Sequence, residues 1–156
     1  MTRADLTPKS GGARAVSWAL VGAQFALCGA LAVRGGSGSW GLVAQALLAA
    51  SGALAVWAVV TMGLRQLHPL PDVRPGAALR THGAYRFIRH PMYSSLLLAS
   101  FACVGARPDA ATVGLALALA LVLAIKASRE ERMLRAAFPE YAEYQRRSWS
   151  FIPGLY

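Results

Sequence analysis

Apolar residues fill four stretches of the chain, 16–33, 40–64, 93–106 and 110–125, and none of these contains Asp, Glu, Lys or Arg. Their length, without period-two alternation, predicts helices and no strands. A helix that crosses a bilayer needs roughly 20 apolar residues. The first stretch nearly reaches that length and the second exceeds it. Pro91 fits the first turn of a third helix that runs through 96–106. The fourth stretch is short for a span. It is expected to continue as an amphipathic helix to about Ala137, where Pro139 stops it. Gly22, Ala26 and Ala30 lie four apart, giving the first helix a small face for close packing. Arg34-Gly-Gly-Ser-Gly-Ser39 reads as a short hairpin connection, and Arg107-Pro-Asp109 as a tight turn. Trp40 is placed as an interfacial anchor. The pattern predicts an all-α polytopic membrane protein: about four transmembrane helices and a cytoplasmic C-terminal amphipathic helix. It forms one membrane domain over 1–156, with an N-terminal hairpin (1–64) and a second half (65–156).

Composition agrees. Of 156 residues 56% are hydrophobic and 15% charged, against about 25% charged in soluble domains. This excludes a disordered chain. The net charge of +9 flanks the apolar stretches instead of covering a polar surface. The expected partner is therefore the lipid bilayer with its anionic headgroups, not nucleic acid. Arg14 before the first stretch resembles a signal-peptide start, but the run is long for a signal core and more spans follow. Arg3, Lys9 and Arg14, the central arginines 65, 74, 80, 86 and 89, and Lys126, Arg129, Arg132, Arg135, Arg146 and Arg147 would all share one side. Only Arg34 and Arg107 would be opposite. The positive-inside rule then places both termini in the cytoplasm. Cys28 and Cys103 lie inside apolar stretches and read as small buried hydrophobes.

The polar residues 65–92 hold His68, Pro69, Pro71 and Pro75, which favour an irregular loop. They end in Gly83-Ala-Tyr-Arg-Phe-Ile-Arg-His-Pro-Met-Tyr93. Gly83 permits a tight turn. His90 sits at the mouth of the third helix, where free N–H groups and the helix dipole favour an anion. Arg86 and Arg89 reinforce that preference. A plain alternative is a basic loop reaching headgroups, with Tyr85 and Tyr93 as interfacial aromatics. The second polar tract contains Glu130-Glu131 and then Phe138, Tyr141 and Tyr144. Adjacent acids near a helix C-terminus need a cation close by. An arginine of the central loop could supply it, or a cationic ligand attracted to the aromatic faces. The three histidines lack metal-ligand spacing, so no metal is expected. Ser94 and Ser95 lack a base-and-orienter set for a nucleophile.

Together, Gly83-x-Tyr85, Arg89-His90-Pro91-x-Tyr93, Glu130-Glu131-x-x-Leu134, Phe138-x-x-Tyr141-x-x-Tyr144 and Ile152-Pro153 resemble the C-terminal signature of the isoprenylcysteine carboxyl methyltransferase and phospholipid methyltransferase superfamily. The resemblance covers about residues 79–154. It implies an integral membrane methyltransferase that uses S-adenosylmethionine, held at the cytoplasmic membrane surface and not in a Rossmann domain. It also implies that 65–156 is the cofactor-binding, catalytic half. Carried over, Gly83, Tyr85, Arg89, His90, Pro91, Tyr93, Glu130, Glu131, Tyr141 and Tyr144 would form the cofactor site. Glu130, with Lys126 or Arg129, would act on the acceptor. Pro139 stands where the family often has glycine, which alters the helix end.

The resemblance implies a hydrophobic or small acceptor carrying a carboxylate, an amine or a thiol. A carboxylate needs only a cation to orient it. An amine or thiol needs a proton acceptor, for which Glu130, Glu131 and His90 are candidates. Two other readings compete: a non-enzymatic membrane scaffold or transport protein, and an NADPH-dependent membrane reductase of related fold.

Overall fold

The computed structural model describes residues 11–63 and 79–154. Arg3, Lys9, Arg65, Arg74, His68, Pro69, Pro71 and Pro75, which entered the topology and loop arguments, lie outside the described residues. The architecture is all-α. Five helices follow one another: α1 (Gly11–Gly36), α2 (Leu42–Met62), α3 (Pro91–Ala106), α4 (Ala110–Ala137) and α5 (Tyr141–Arg146), with a 3-10 turn at Gly83–Arg86 before α3. By length and composition α1, α2 and α4 can cross a membrane, and α3 is a shorter apolar helix. These are the helices of an integral membrane protein.

The boundaries follow local rules. α4 runs from its charge-free part into the polar segment and ends at Ala137. Phe138 turns extended, φ −127° and ψ 108°, because Pro139 disfavours an α conformation in the residue before it. α1 is longer than its apolar stretch and absorbs Arg34, Gly35 and Gly36, so the connection to α2 is shorter than expected. That connection docks on the α3–α4 turn. Ser39 N–H donates to Ala106 O at 2.9 Å, and a Cβ on Gly38 would lie 2.4 Å from that same oxygen.

Packing uses small residues, but not the Gly22 face of α1. Gly22 and Ala26 are exposed, and a Cβ on Gly22 would meet nothing within 4 Å. α1 instead buries Ser17, Val21, Leu31 and Gly35, and a Cβ on Gly35 would lie 2.9 Å from Cys103 Sγ of α3. Leu31 packs with Cys103, Ala116, Leu119 and Leu123, so bulk rather than close backbone approach joins α1 to α4. The close approach lies between α2 and α3. α2 buries Ala44, Ser51 and Ala58, seven apart, which keeps one narrow strip facing its neighbour. Ser51 Oγ donates to Ser95 O at 2.7 Å, and the Cβ site of Gly105 is 3.5 Å from Ala44 Cβ. Cys28 and Cys103 are free thiols.

The two hairpin turns are clasped by charge. Arg34 Nη2 donates to both Asp109 oxygens at 2.8 and 2.7 Å, and Arg107 Nε donates to Oδ2 at 2.7 Å. Asp109 also caps α4 by accepting from Thr112 N–H at 2.8 Å. The Thr112 N–H, then Arg34 and Arg107, hold its carboxyl well below the usual range. At the other end, Arg129 Nη2 donates to Ala13 O at 3.3 Å. The start of α1, the start of α3 and the end of α4 therefore gather together, and the polar tracts meet there.

Candidate functional site

The site begins with a turn that only glycine fits well. Gly83 has φ +57°, and an added Cβ would lie 2.4 Å from Thr61 Oγ1 of α2. This seats the 3-10 turn on α2, where Ala84 and Tyr85 pack with Ala58, Met62 and Met92. The chain then extends and pairs with its own C-terminal tail. Ile88 and Trp149 form an isolated parallel bridge. Trp149 N–H donates to Phe87 O at 3.0 Å, Arg89 N–H to Trp149 O at 2.7 Å and His90 N–H to Ser150 O at 3.1 Å. Ser94 Oγ donates to Phe151 O at 2.7 Å. Pro91 starts α3 and is buried. Just before the helix, the N–H groups of Arg89 and His90 are engaged by tail carbonyls.

α4 brings the acids to this mouth. His90 Nδ1 lies 3.3 Å from Glu130 Oε2, and its Nε2 lies 3.4 Å from Glu131 Oε1. The Nε2 contact has ion-pair distance without hydrogen-bond alignment, so this buried nitrogen has no hydrogen-bond partner. The imidazole stacks on Tyr93, with centroids 5.5 Å apart and planes 10° apart, and Phe151 packs against it at 5.8 Å. Burial alone would favour the neutral ring. The carboxylates of Glu130 and Glu131 outweigh burial and raise the His90 pKa above its ordinary value, because opposite charges nearby favour the charged ring.

The two acids have different surroundings. Glu131 accepts from Arg89 Nε at 2.8 Å, Gln145 Nε2 at 2.8 Å and Arg135 Nη2 at 3.2 Å, and both its oxygens are occupied. Arg89 in turn donates through Nη1 to Gln145 O at 3.3 Å and to Ser148 O. Glu131 and Arg89 thus pin α4, α5 and the tail to the α3 mouth. Glu130 accepts from the Tyr93 hydroxyl, and its side chain stays 22% exposed against 11% for Glu131. Lys126 Nζ donates to Gln24 Oε1 at 2.5 Å and lies 5.1 Å from the Tyr93 ring centroid.

The aromatic residues close the site from α5. Tyr144 OH donates to Tyr85 O at 2.6 Å; burial is the main cause that pushes its pKa up to about 12. Tyr141 is 1% exposed, packs edge-on against Tyr144, and its hydroxyl has no hydrogen-bond partner among the described residues.

Arg89, His90, Pro91, Tyr93, Glu130 and Glu131 thus come together, with Lys126, Tyr85, Tyr141 and Tyr144 around them. Gly83 shapes the turn against α2, and Arg129 faces α1. Sequence reasoning missed Gln145, the Ser148–Phe151 strap and Gln24. Gln145 directly follows the Tyr141-x-x-Tyr144 pair, a usable signal. The strap, Ser148-Trp149-Ser150-Phe151, does alternate polar and apolar residues, but over only four positions, and Gln24 is a lone amide in an apolar run.

The arrangement is that of a membrane-embedded helical protein whose polar site lies at one end of the bundle. The chain belongs to the isoprenylcysteine carboxyl methyltransferase (ICMT) family, whose model matches residues 43–136. The match takes in α2, α3 and most of α4, with both polar partners of the site. Among curated proteins, the cobalt-zinc-cadmium resistance protein CzcN of Cupriavidus metallidurans is 43% identical over 84 residues, 53% of this chain and 38% of that protein. The nickel-cobalt-cadmium resistance protein NccN of Alcaligenes xylosoxydans xylosoxydans is 34% identical over 84 residues, 53% of this chain and 39% of that protein. The matched segment spans under two fifths of either relative. No solved structure matches the chain.

Proposed function

We propose that this chain is an S-adenosylmethionine-dependent methyltransferase at the cytoplasmic membrane surface, transferring a methyl group to a carboxylate, amine or thiol of a lipophilic or small acceptor. The observation that carries this reading is the contact of His90 with both Glu130 and Glu131, beside two buried polar atoms, His90 Nε2 and Tyr141 OH, that make no hydrogen bond among the described residues. Buried polar groups normally have partners, and unpaired ones at a family's signature residues are suited to a polar ligand.

The residues fit the cofactor's chemistry. Its sulfonium and ammonium charges match the partly exposed Glu130 carboxylate and the faces of Tyr93, Tyr141 and Tyr144. When bound, the cofactor supplies a methyl group on positively charged sulfur. Glu130, His90, Tyr93 and Tyr141 would hold it. Glu131 and Arg89 keep the frame rigid, because their hydrogen-bonding groups are already engaged. Pro91, Gly83, Tyr85 and Tyr144 shape the wall. Lys126, 5.1 Å from the Tyr93 ring centroid and outside any ion pair among the described residues, orients an anionic acceptor better than Arg129. For an amine or thiol acceptor, Glu130 is the proton acceptor. Alignment and exclusion of water supply the rest of the rate.

Four helices span the bilayer in this reading. α3 has 16 residues and is about 24 Å long against a hydrocarbon core of about 30 Å. Its His90 mouth therefore lies at the level where an apolar acceptor arrives from lipid and a polar cofactor from water. The basic residues at that end put it, and both termini, in the cytoplasm. Residues 1–64 form the N-terminal hairpin and 65–156 the catalytic half of one membrane domain. The resistance relatives favour one physiological context, in which the methylated acceptor is a membrane component that alters tolerance to such cations.

The test is a transfer assay with methyl-labelled cofactor and membrane extract, comparing wild type with Glu130→Ala. Label moving into a lipid or small-molecule fraction with wild type only supports the proposal. No transfer, together with stabilisation by NADPH instead, contradicts it.

A further inference from the structure

We infer that Gln24 of α1 is a positioning residue: its side-chain oxygen holds the Lys126 ammonium away from Glu130, so that this carboxylate keeps its charge for a cationic ligand. The clause on the ligand rests on the proposed function; the placement of Lys126 does not.

Lys126 and Glu130 are four apart on α4, the spacing at which opposite charges pair on a helix. Both belong to one small site, and Lys126 is 4% exposed. Yet no ion pair joins them among the described residues. Lys126 Nζ instead donates to Gln24 Oε1 at 2.5 Å and lies over the Tyr93 ring, 5.1 Å from its centroid. Glu130 is left to accept from the Tyr93 hydroxyl and to face His90 Nδ1 at 3.3 Å. A buried ammonium needs partners, and polar side chains inside membrane helices are costly and face the bundle interior. Gln24 meets both conditions. It interrupts a charge-free stretch of α1 and spends its acceptor on this one cation. α1 lies outside the segment matched by the family model. The family's motifs therefore do not point to Gln24; the geometry does.

Without the Gln24 oxygen, the nearest strong acceptor for the ammonium is the Glu130 carboxylate. Pairing there neutralises the charge that faces His90. The groups that face His90 are Glu130, Glu131, Tyr93 and Phe151, with Arg89 behind Glu131. Of the two carboxylates Glu130 is the one four residues from Lys126 on α4, so His90 reports where the ammonium sits.

The experiment uses the full chain in lipid nanodiscs with isotope-labelled histidine, the His90 signal being assigned by its loss in His90→Gln. Gln24→Leu should lower the His90 titration midpoint by on the order of one pH unit, the size of shift expected when a neighbouring charge is paired off. Gln24→Glu, which still accepts from Lys126, should not lower it. Gln24→Leu combined with Lys126→Met should not lower it either, since no ammonium remains to collapse. S-adenosylmethionine affinity should fall about tenfold in Gln24→Leu, as for one charge-assisted contact, and recover in the double variant. An unmoved midpoint in Gln24→Leu overturns the inference, as does an equal fall in the double variant. The expected midpoint shifts with no cofactor binding by wild type uphold the action of Gln24 on Lys126 and overturn the proposed function.

Discussion

Arg89 Nε donates to Glu131 Oε1 at 2.8 Å across 42 residues of chain, with both side chains 11% exposed. This bond fastens the end of α4 to the start of α3, and the placement of Glu130 beside His90 depends on it. Removing one partner of a buried pair strands the other charge, at about 3–5 kcal/mol. Arg89→Ala and Glu131→Ala should each lower the thermal midpoint strongly in detergent. Arg89→Met with Glu131→Leu should cost less than either single change. Arg89→Lys should not rescue, because Nε and Nη1 point to different acceptors.

The His90 pKa is raised in the folded protein, as the carboxylates of Glu130 and Glu131 outweigh burial. A raised folded value stabilises fully below the unfolded value of about 6.5 and is lost as pH rises through the folded value. Melting temperatures from about pH 6 to about pH 9 should therefore fall in wild type. The slope should be shallower in His90→Gln. A wild-type melting temperature that rises over that interval would refute this sign.

Gly83→Ala should destabilise by about 1–3 kcal/mol, since φ is +57° and the new Cβ would lie 2.4 Å from Thr61 Oγ1. Thr61→Ala in the same chain should recover the steric part and leave the backbone part. Denaturation midpoints of the two variants separate these contributions.

The strap of residues 148–151 protects the α3 mouth through N–H groups of Arg89 and His90. Trp149→Pro removes the donor to Phe87 O, a 3.0 Å bond, and proline cannot replace it. Hydrogen exchange at the Arg89 and His90 amides should quicken, while exchange in the centre of α2 should stay as in wild type.

The helices were readable because each rests on a local rule. Charge-free runs mark the apolar helices, Pro91 marks the start of α3, and Pro139 marks the end of α4 at Ala137. Adjacent acids near a helix end require a cation, which pointed to an arginine of the central loop or a cationic ligand, and Arg89 does pair with Glu131; the contacts of His90 with both acids were not readable from residue type. What could not be read depended on distant partners. The small face at Gly22 and Ala26 has the right spacing for close packing, but nothing in α1 says which neighbour is in reach. The Ser148–Phe151 strap acts largely through backbone N–H and carbonyl groups, which carry no sequence signature, and the Gln145 side chain gains its role only from Glu131 on another helix. Gln24 gains its meaning only from Lys126, 102 residues away.

The central claim is that the His90–Glu130 junction binds S-adenosylmethionine or its product. Isothermal calorimetry of S-adenosylhomocysteine into the nanodisc-embedded chain tests it most directly. Wild type should bind, and at a ligand concentration 100 times the dissociation constant should gain about 2.7 kcal/mol of stability. His90→Ala and Glu130→Ala should each weaken binding by at least about tenfold, or 1.4 kcal/mol, while remaining folded by circular dichroism. Heat signals of equal affinity in wild type and both variants would contradict the account.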